Sequence, residues 1–402
     1  MDYPKSIPSA GLVNGKFVDE DLIAGKPGSL IPASWGNSVT QEILSAITEA
    51  GLKPDEEQTN QLAQAIRQLS KPDPMQSFPS QVYRKNVLIN GGFDIWQRGP
   101  SNIAPNTGGY IADRFRCDWN GNAGVNITQQ SFTLGQTEVP NEPRYFLRWQ
   151  QVTAGSGATI HKVSQNIESV RTLAGKVATV TFWAKSDAAR QLKVSILQYF
   201  GPAGSASVEN MVSGFQLTTS WARYTATFQV PSLAGKMLGG VSNDCLRLAF
   251  DLPLNVVQTV DLAQIQLEEG AVSTPFEYLP ISQQLINCQR YYEKSFGTGI
   301  SIQANNGTNT CQATFSQVPV ANSGQYGMNI PFLVQKRGQA TVVMFSPGDN
   351  SNQVWNQAVG KACTGTILQG LTSRSMSFAT VTAVGSVPGN TLQLEWTADA
   401  EL

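Results

Sequence analysis

The sequence predicts a mainly β protein with two tandem β-sandwich domains of the jelly-roll type, preceded by an extended arm and a short α-helical hairpin. Three observations predict this. The chain has 402 residues, which is too long for one ordinary hydrophobic core. Apolar residues at helical spacing are concentrated in residues 37–85. From residue 86 onward, short alternating runs separated by Gly, Pro, Asn and Ser take over.

The N-terminal part shows two kinds of local pattern. Its first 36 residues are rich in Pro, Gly and Ser and have no periodicity, which predicts an extended arm. One helix is expected from Asn37 or Ser38 to Gly51, and a second is opened by Pro54. The apolar stripe of the second helix is Leu62, Ile66 and Leu69. Helices this short cannot bury such stripes alone, so we expect them to pack on each other and on other chains.

The remainder of the chain consists of strand patterns in two groups. The first group comprises residues 176–184, 192–196, 223–228, 246–250 and 260–267. Strict alternation in the last of these would place Leu262, Gln264 and Gln266 opposite Ala263, Ile265 and Leu267. After a short helix within 281–292, the second group comprises residues 299–304, 311–316, 328–334, 340–345, 376–384 and 391–397. The expected boundaries are 1–36 for the arm, 37–85 for the hairpin and linker, 86–280 for the first sandwich and 281–402 for the second.

Charge excludes one class of partner. Charged residues make up only 14% of the chain and the net charge is -1, against a typical charged fraction of about 25%. Residues 1–85 hold 10 acids and 8 bases, and residues 281–402 hold 5 acids and 6 bases. No segment has the basic excess that neutralises a phosphate backbone, so nucleic acid is not expected as a partner.

Cysteine usage and hydropathy indicate the compartment in which the protein is made. The five cysteines are odd in number, lie far apart and form no CxxC pair, so we expect reduced, mostly buried thiols rather than disulfides or a zinc site. They are Cys117, Cys245, Cys288, Cys311 and Cys363. Residues 1–17 lack the apolar run of a secretory signal, and no run reaches the ~20 apolar residues of a membrane helix. We therefore expect synthesis in a cytoplasm and no membrane insertion.

Several motifs occur in a consistent order. The first is Asn86-Val-Leu-Ile-Asn-Gly-Gly-Phe-Asp94. It is followed by Asp113-Arg-Phe115, Gly175-Lys-Val-Ala-Thr-Val-Thr-Phe-Trp-Ala-Lys185, Asp261-Leu-Ala-Gln-Ile-Gln-Leu-Glu-Glu-Gly270 and Thr274-Pro-Phe-Glu277. Together they resemble a carbohydrate-binding module of the family 4 and 9 type, in the version found in bacteriophage tail fibres. Pro27-Gly-Ser-Leu-Ile-Pro-Ala-Ser-Trp35, Cys288-Gln-Arg-Tyr-Tyr-Glu-Lys294 and Trp396-Thr-Ala-Asp-Ala-Glu-Leu402 resemble the flanking segments of such fibres.

The resemblance implies a homotrimeric tail-fibre protein located in the virion. Its N-terminal segment would attach to other tail or baseplate proteins, and it would bind a polysaccharide, a lipopolysaccharide or a pilus on the host surface. No cofactor is required. The resemblance places Asp94 and Asp261 where ligands of a structural calcium stand, and calcium prefers such oxygen ligands. An alternative remains open, in which both are turn-adjacent carboxylates bonded to the backbone.

The residues argue against catalysis. The only histidine, His161, lies in an alternating run, where a packed or solvent-facing role is the ordinary one. Glu268 and Glu269 are adjacent on a strand and would point to opposite faces, which does not suit a glycosidase pair. We therefore expect no enzyme activity. The alternatives are a depolymerase tail spike and a purely structural spacer.

Receptor contacts are expected from aromatic side chains among polar residues, because aromatic faces pack on sugar rings. The candidates are Trp355, Tyr326, Tyr199 and Trp119. Trp355 stands out because it lies in a polar, loop-like stretch, residues 350–357. Low charge and variable loops place the expected receptor site in residues 281–402, with the first sandwich as the alternative.

Overall fold

The computed structural model describes residues 8–69, 85–99, 101–102, 108–240, 243–297, 300, 302–307, 314–316 and 324–402. The chain forms two compact units, Met1–Val82 and Tyr83–Leu402. Its elements are mainly strands, which confirms the predicted fold class. Cys311, the linker at 70–84, and residues 299, 301 and 311–313 of two expected strands lie outside the described residues. The prediction of a strand at 299–304 was wrong for the residues described there, 300 and 302–304, which are not in a strand. Residues 314–316 do form one. No helix among those described is long and apolar enough to cross a membrane.

The first unit contains a 3-10 helix, Pro8–Ala10, and two α-helices, α1 (Ala33–Glu49) and α2 (Gln61–Leu69). The prediction that the first helix begins at Asn37 or Ser38 was wrong. It begins at Ala33, because Pro32 directly before it already has the extended backbone of an N-cap residue.

The second helix also begins later than Pro54 suggested. The Gln61 side chain folds back on the preceding segment, where its Nε2 donates to the Lys53 carbonyl at 2.7 Å and its Oε1 accepts from Asp55 N at 2.9 Å. The Asp55 carboxylate accepts from Glu57 N at 3.0 Å. These bonds hold the intervening residues in turns, and a side chain that competes for the backbone in this way favours turns over helix.

The arm is folded back on itself in the described region. Leu30 N donates to Ala10 O at 3.0 Å, and the Ser29 hydroxyl donates to Gly11 O at 2.8 Å. Two tight turns, Val13↔Lys16 and Asp21↔Lys26, reverse the chain. The arm is therefore a looped segment rather than a straight extension.

The two helices pack through a small part of their surface. Ile47 and Ala65 are buried, whereas Leu62, Ile66 and Leu69 are 39%, 56% and 49% exposed. The apolar stripe predicted from the sequence therefore lies on the surface of this unit.

The second unit begins with a β-sandwich of two six-stranded sheets. In spatial order, sheet A is β1 (Ser101–Asn102), β4 (Gly124–Ser131), β5 (Tyr145–Thr153), β12 (Gln258–Glu269), β7 (Val177–Ser186) and β10 (Ala222–Gln229). Sheet B is β2 (Gly109–Tyr110), β3 (Phe115–Trp119), β6 (His161–Glu168), β11 (Cys245–Asp251), β8 (Arg190–Tyr199) and β9 (Val208–Leu217). Every pairing is antiparallel.

One continuous core lies between the sheets. Leu147 and Phe182 from sheet A pack in the same cluster as Leu192 and Phe250 from sheet B, and all four are fully buried. Burial of each such side chain stabilises the fold by about 1.5–3 kcal/mol. Outside the β-bulges, outward-facing residues alternate with these core positions along the strands.

Strand β12 departs from the predicted alternation. A β-bulge lies between Ala263 and Gln266, and Gln264 has a positive φ of 46°. The extra residue brings Leu262 and Ile265 to the same side, where both are buried in the core. The expected grouping of Leu262 with Gln264 and Gln266 was therefore wrong.

In its described residues, the chain after the sandwich contains α3 (Ile281–Gln289) and three small antiparallel sheets. The first is β13 (Tyr292–Lys294), β22 (Glu395–Asp399) and β16 (Thr341–Phe345). The second is β14 (Thr314–Ser316), β21 (Thr391–Gln393), β17 (Trp355–Asn356) and β18 (Lys361–Ala362). The third is β15 (Gln325–Pro331), β20 (Ser375–Val381) and β19 (Thr364–Leu371). We call residues 281–402 the C-terminal part.

Helix α3 buries polar as well as apolar side chains. Ile286 is 47% exposed, whereas Gln284 and Cys288 are buried. The Gln284 Oε1 accepts from Asn90 N of the sandwich at 3.3 Å. The polar face of the helix thus supplies an acceptor to the sandwich backbone. The four described cysteines are free and buried, as expected.

A cluster of buried charges joins the C-terminal part to the sandwich. The Arg98 guanidinium lies 3.3 Å from Asp113 of the sandwich and 2.9 Å from Asp399 of β22. Arg114 is buried and forms an ion pair with Glu401. Because a buried charge without its partner is strongly destabilising, the two parts depend on each other for stability.

Candidate functional site

The outward face of sheet B forms a shallow groove. Its floor consists of Ser164, Ala249 and Ser195, which lie side by side on β6, β11 and β8. The line continues to Arg116 on β3 and to Met211 on β9. With strands about 4.8 Å apart, these five residues span about 19 Å across the sheet. We call this surface the groove.

Longer side chains border the floor on both sides. One border is the cross-strand row Lys162, Asp251 and Lys193. The opposite border is the row Asn166, Arg247 and Leu197. The rows are four residues apart along each strand, or about 13 Å. Small residues between two rows of larger ones make a shallow depression, and the side chains of Arg116 and Met211 lie at its two ends.

Hydrogen bonds hold the borders in place. The Asp251 carboxylate pairs with Lys162 Nζ at 3.3 Å and accepts from the Ser195 hydroxyl at 3.2 Å. On the other side, Arg247 Nε donates to Asn166 Oδ1 at 2.7 Å. Donors and acceptors therefore line the groove in an orientation set before any ligand arrives.

A cavity of about 360 Å³ adjoins the groove beside the Lys162–Lys193 row. It is lined by Thr159, Ile160, His161, Lys162, Gln191, Lys193, Asp251, Leu252, Pro253 and Leu254. His161 is 1% exposed, and its Nδ1 donates to the Pro253 carbonyl at 3.0 Å. Its Nε2 has no hydrogen-bond partner within the described chain. This histidine packs beneath the cavity wall.

Tyr199 and Trp119 belong to sheet B but differ in placement. Tyr199 lies on the outward face at the end of β8, in the same alternation as Lys193 and Ser195, and is half-buried. Trp119 is 2% exposed and points into the core, where its ring lies edge-on to Trp149 at 5.8 Å. The buried Trp119 ring leaves no face for a receptor, because its strand position directs it inward.

Tyr326 and Trp355, the candidates in the C-terminal part, are both half-buried. Tyr326 alternates inward with Met328 and Ile330 on β15 and packs against the cluster around Phe378. The Trp355 ring covers Gly348 so closely that a Cβ at that glycine would lie 2.1 Å from the ring. Both rings therefore contribute to packing within this part.

Asp94 and Asp261 are not brought together. Both Asp261 oxygens accept from Arg148, at 2.8 Å each, and Asp261 is buried beneath this pair. Asp94 lines a different cavity, beside Arg144 and Tyr278. Within the described chain no three His, Cys, Asp or Glu side chains cluster as metal ligands. The two carboxylates do not fit a shared calcium site, because the charge of Asp261 is already balanced by Arg148.

Sequence reasoning missed the groove residues. Alternation in 192–196 places Lys193 and Ser195 outward, but nothing local indicates that β8 pairs with β11 and β11 with β6. The floor is assembled from residues up to 85 positions apart, Ser164 and Ala249. Strand order, rather than any motif, creates the site.

Comparisons with known proteins give limited information. No family model and no curated protein matches the chain. Solved structures with a similar fold include the enzymatically active domain of bacteriophage CBA120 tailspike protein 4, with 15% identity and a TM-score of 0.30. That match covers 46% of this chain but only 22% of the tailspike domain's own length.

Two isolated carbohydrate-binding modules are also similar. One, described by the words "CBM4 structure and function", has 19% identity and a TM-score of 0.29, over 45% of this chain and 98% of that one. The xylan-binding CBM22-1 domain of Paenibacillus barcinonensis Xyn10C has 12% identity and a TM-score of 0.28, over 47% and 96%. At these identities and TM-scores, the function of those proteins does not transfer to this chain.

Proposed function

We propose that this chain is a non-enzymatic bacteriophage tail-fibre protein that attaches the virion to its host by holding a surface polysaccharide in the groove. The observation that carries glycan binding is the groove itself. It is about 19 Å long and is bordered by charged and amide side chains fixed by hydrogen bonds. Such a depression suits an extended polyhydroxylated chain, whose hydroxyl groups both donate and accept.

The absence of catalysis is part of the same proposal. Asp251 is engaged by Lys162 and Ser195, and the Nδ1 of His161 is engaged by a backbone carbonyl. Neither group is poised as a free base beside a nucleophile, which nucleophilic catalysis requires. Incubation of the full chain with host polysaccharide is expected to release no reducing ends. Time-dependent release would favour a depolymerase.

The tail-fibre assignment rests on the sequence motifs, and with it come the virion location and the homotrimer. The exposed stripe Leu62, Ile66 and Leu69 supplies an apolar surface for association of three copies. Three grooves in one fibre would multiply weak contacts into useful avidity. The N-terminal segment would then attach the fibre to other tail or baseplate proteins.

Adsorption to host cells tests the proposal. Lys193→Ala and Asp251→Asn remove charged groups from one border, and each is expected to weaken binding of the full chain about tenfold. Lys176→Ala is the matched control, because Lys176 pairs with Glu269 on sheet A, away from the groove. Competition with purified capsule, lipopolysaccharide or pili identifies the receptor class. Undiminished adsorption by both groove variants would reject the groove as the receptor site.

A further inference from the structure

A second cavity lies on the sheet A side of the sandwich and has no role in the function proposed above. It measures about 270 Å³. Its lining residues are Gly92, Asp94, Asn141, Glu142, Pro143, Arg144, Gln264, Tyr278, Leu279, Pro280 and Ile281. We call it the Tyr278 pocket. Four separate segments converge there: the start of the sandwich, the loop between β4 and β5, the bulge of β12, and the chain leading into α3.

The bulge in β12 fixes one wall of the pocket. Gln264 adopts φ 46°, an uncommon conformation for a residue other than glycine. From this position its Nε2 donates to the Pro140 carbonyl at 2.9 Å and to the Tyr278 hydroxyl. One amide therefore ties the loop to the segment before α3. Functional sites frequently hold residues in such sparsely populated conformations.

The loop wall is also held by its own interactions. Val139 is fully buried against Phe146 and Trp221 on the outer side of sheet A. The backbone N of Val139 donates to Gln136 Oε1 at 2.9 Å, and its carbonyl O accepts from Gln136 Nε2 at 2.6 Å. Because Val139 anchors the loop, the pocket exists without a ligand to shape it.

Tyr278 presents an aromatic surface at the pocket. The residue is 45% exposed, and its ring lies perpendicular to Phe276 at a centroid distance of 4.9 Å. Contact with Phe276 and the bond from Gln264 fix the ring orientation. Burial raises the pKa of the Tyr278 hydroxyl to about 12, so this hydroxyl remains a donor at neutral pH.

Two charged groups face the pocket without competing partners. Within the described chain, neither the Asp94 carboxylate nor the Arg144 guanidinium forms a hydrogen bond or a close ion pair. The Asp94 carboxylate folds over Gly92, where an added Cβ would lie 2.9 Å from its Oδ2. Burial raises the pKa of Asp94, and the Arg144 charge acts in the opposite direction. A strong acceptor and a strong donor are thus available beside an oriented aromatic ring.

We propose that the Tyr278 pocket is a second saccharide site that binds one neutral pyranose unit. The Tyr278 ring would pack on the C–H face of the sugar, while Asp94 accepts from and Arg144 donates to its hydroxyl groups. Asp94 and Arg144 balance in charge and Glu142 adds a negative charge, which disfavours acidic sugars. The volume lies at the small end of ligand pockets, which suits a single sugar unit rather than a chain.

Saturation-transfer NMR of the full chain tests this inference. The probes are the methyl glycosides of glucose, galactose, mannose and N-acetylglucosamine, with methyl glucuronide as the acidic comparison. At least one neutral glycoside is expected to receive saturation at the ring protons of one face. Absence of transfer to every neutral glycoside, or stronger transfer to the glucuronide, would overturn the proposal.

Variants assign any binding to the pocket. Tyr278→Ala and Asp94→Asn are each expected to weaken binding about tenfold. Tyr278→Phe retains the ring and is expected to weaken binding less than Tyr278→Ala does. Lys176→Ala is the matched control and is expected to leave the transfer unchanged, because Lys176 pairs with Glu269 outside both the pocket and the groove. Thermal melting checks that each variant is folded. Equal binding by wild type and by a folded Tyr278→Ala protein would reject the site.

Discussion

Arg290 and Glu168 form a bidentate ion pair, with Nη2–Oε1 at 2.8 Å and Nε–Oε2 at 3.1 Å. Glu168 ends β6 of the sandwich, and Arg290 directly follows α3 of the C-terminal part. The Tyr291 hydroxyl also donates to Glu168 Oε2 at 2.8 Å. One carboxylate thus accepts three hydrogen bonds from the C-terminal part.

This pair should make a measurable contribution to stability. In a double-mutant cycle of Glu168→Gln and Arg290→Gln, we expect a coupling energy of about 0.5–1 kcal/mol, because both side chains are partly exposed. Urea unfolding of the full chain measures it. The exposed pair Lys176–Glu269 serves as the comparison, with an expected coupling near zero. Equal coupling in the two cycles would contradict this prediction.

The same carboxylate predicts sensitivity to acid. Burial alone would raise the pKa of Glu168, but hydrogen bonds from Arg290 and Tyr291 outweigh it and hold the pKa below its ordinary value of 4.5. The contribution of Glu168 is therefore present above pH 4.5 and lost as the pH falls through the lowered pKa. Glu168→Gln should flatten the stability profile in that acidic range. If the Glu168→Gln variant has the same dependence of stability on pH as the wild type, Glu168 is not the group responsible.

Asp113 should have the opposite effect on the pH dependence of stability. Burial raises its pKa to about 7, although Arg98 and the backbone of Gln97 lower it in part. A folded pKa above the unfolded value of 3.8 means that Asp113 contributes stability at low pH. That contribution is lost as the pH rises through about 7. Replacement by Asn should reduce the pH dependence of the melting temperature between pH 3.8 and about 7, which is the interval between the unfolded and folded pKa values of Asp113. If the Asp113→Asn variant shows the same dependence of melting temperature on pH as the wild type, this prediction is wrong.

The oligomeric state depends on the helical hairpin. The full chain is expected to have a trimer mass by light scattering, and Leu62→Asp with Ile66→Asp should reduce it to a monomer, because charges on the stripe resist burial. Ile367→Asp, at a residue of the C-terminal part that is 55% exposed, is the control. A monomeric wild type at micromolar concentration would remove the homotrimer from the proposal.

Chelation should leave the protein unaffected. Arg148 engages both oxygens of Asp261, and Asp94 lines another cavity. We therefore expect the same melting temperature in EDTA as in calcium. A bound ion at a hundredfold excess over its Kd would stabilise the fold by about 2.7 kcal/mol, which is easily detected. A lower melting temperature in EDTA would restore a calcium site.

The sequence correctly predicts which residues form a strand, and which face of the strand each residue lies on, where the pattern depends only on neighbouring residues. Alternation in β7 correctly places Val180 and Phe182 in the core and directs Thr179 and Trp183 outward. Such patterns depend only on the two-residue period of a strand. The arm and helix boundaries were less predictable, because side chains such as Gln61 bond to the neighbouring backbone.

Features that depend on partners distant in sequence could not be predicted. Arg148 and Asp261 are 113 residues apart, so the bond that removes Asp261 from a calcium site has no local signal. The bulge at Gln264 likewise depends on the register with β7. Tyr278 carried no motif, and only its position opposite Gln264 distinguishes it from other surface tyrosines.

The bulge at Gln264 has a consequence for how the length of β12 can change. Deletion of this one residue would restore regular alternation and keep Leu262, Ile265 and Leu267 on the core side of the sheet. It would also remove the amide that ties Pro140 to Tyr278. A one-residue deletion at the bulge would therefore remove one wall of the Tyr278 pocket without turning the core residues of β12 outward. The pocket and the core register of this strand can change independently of each other.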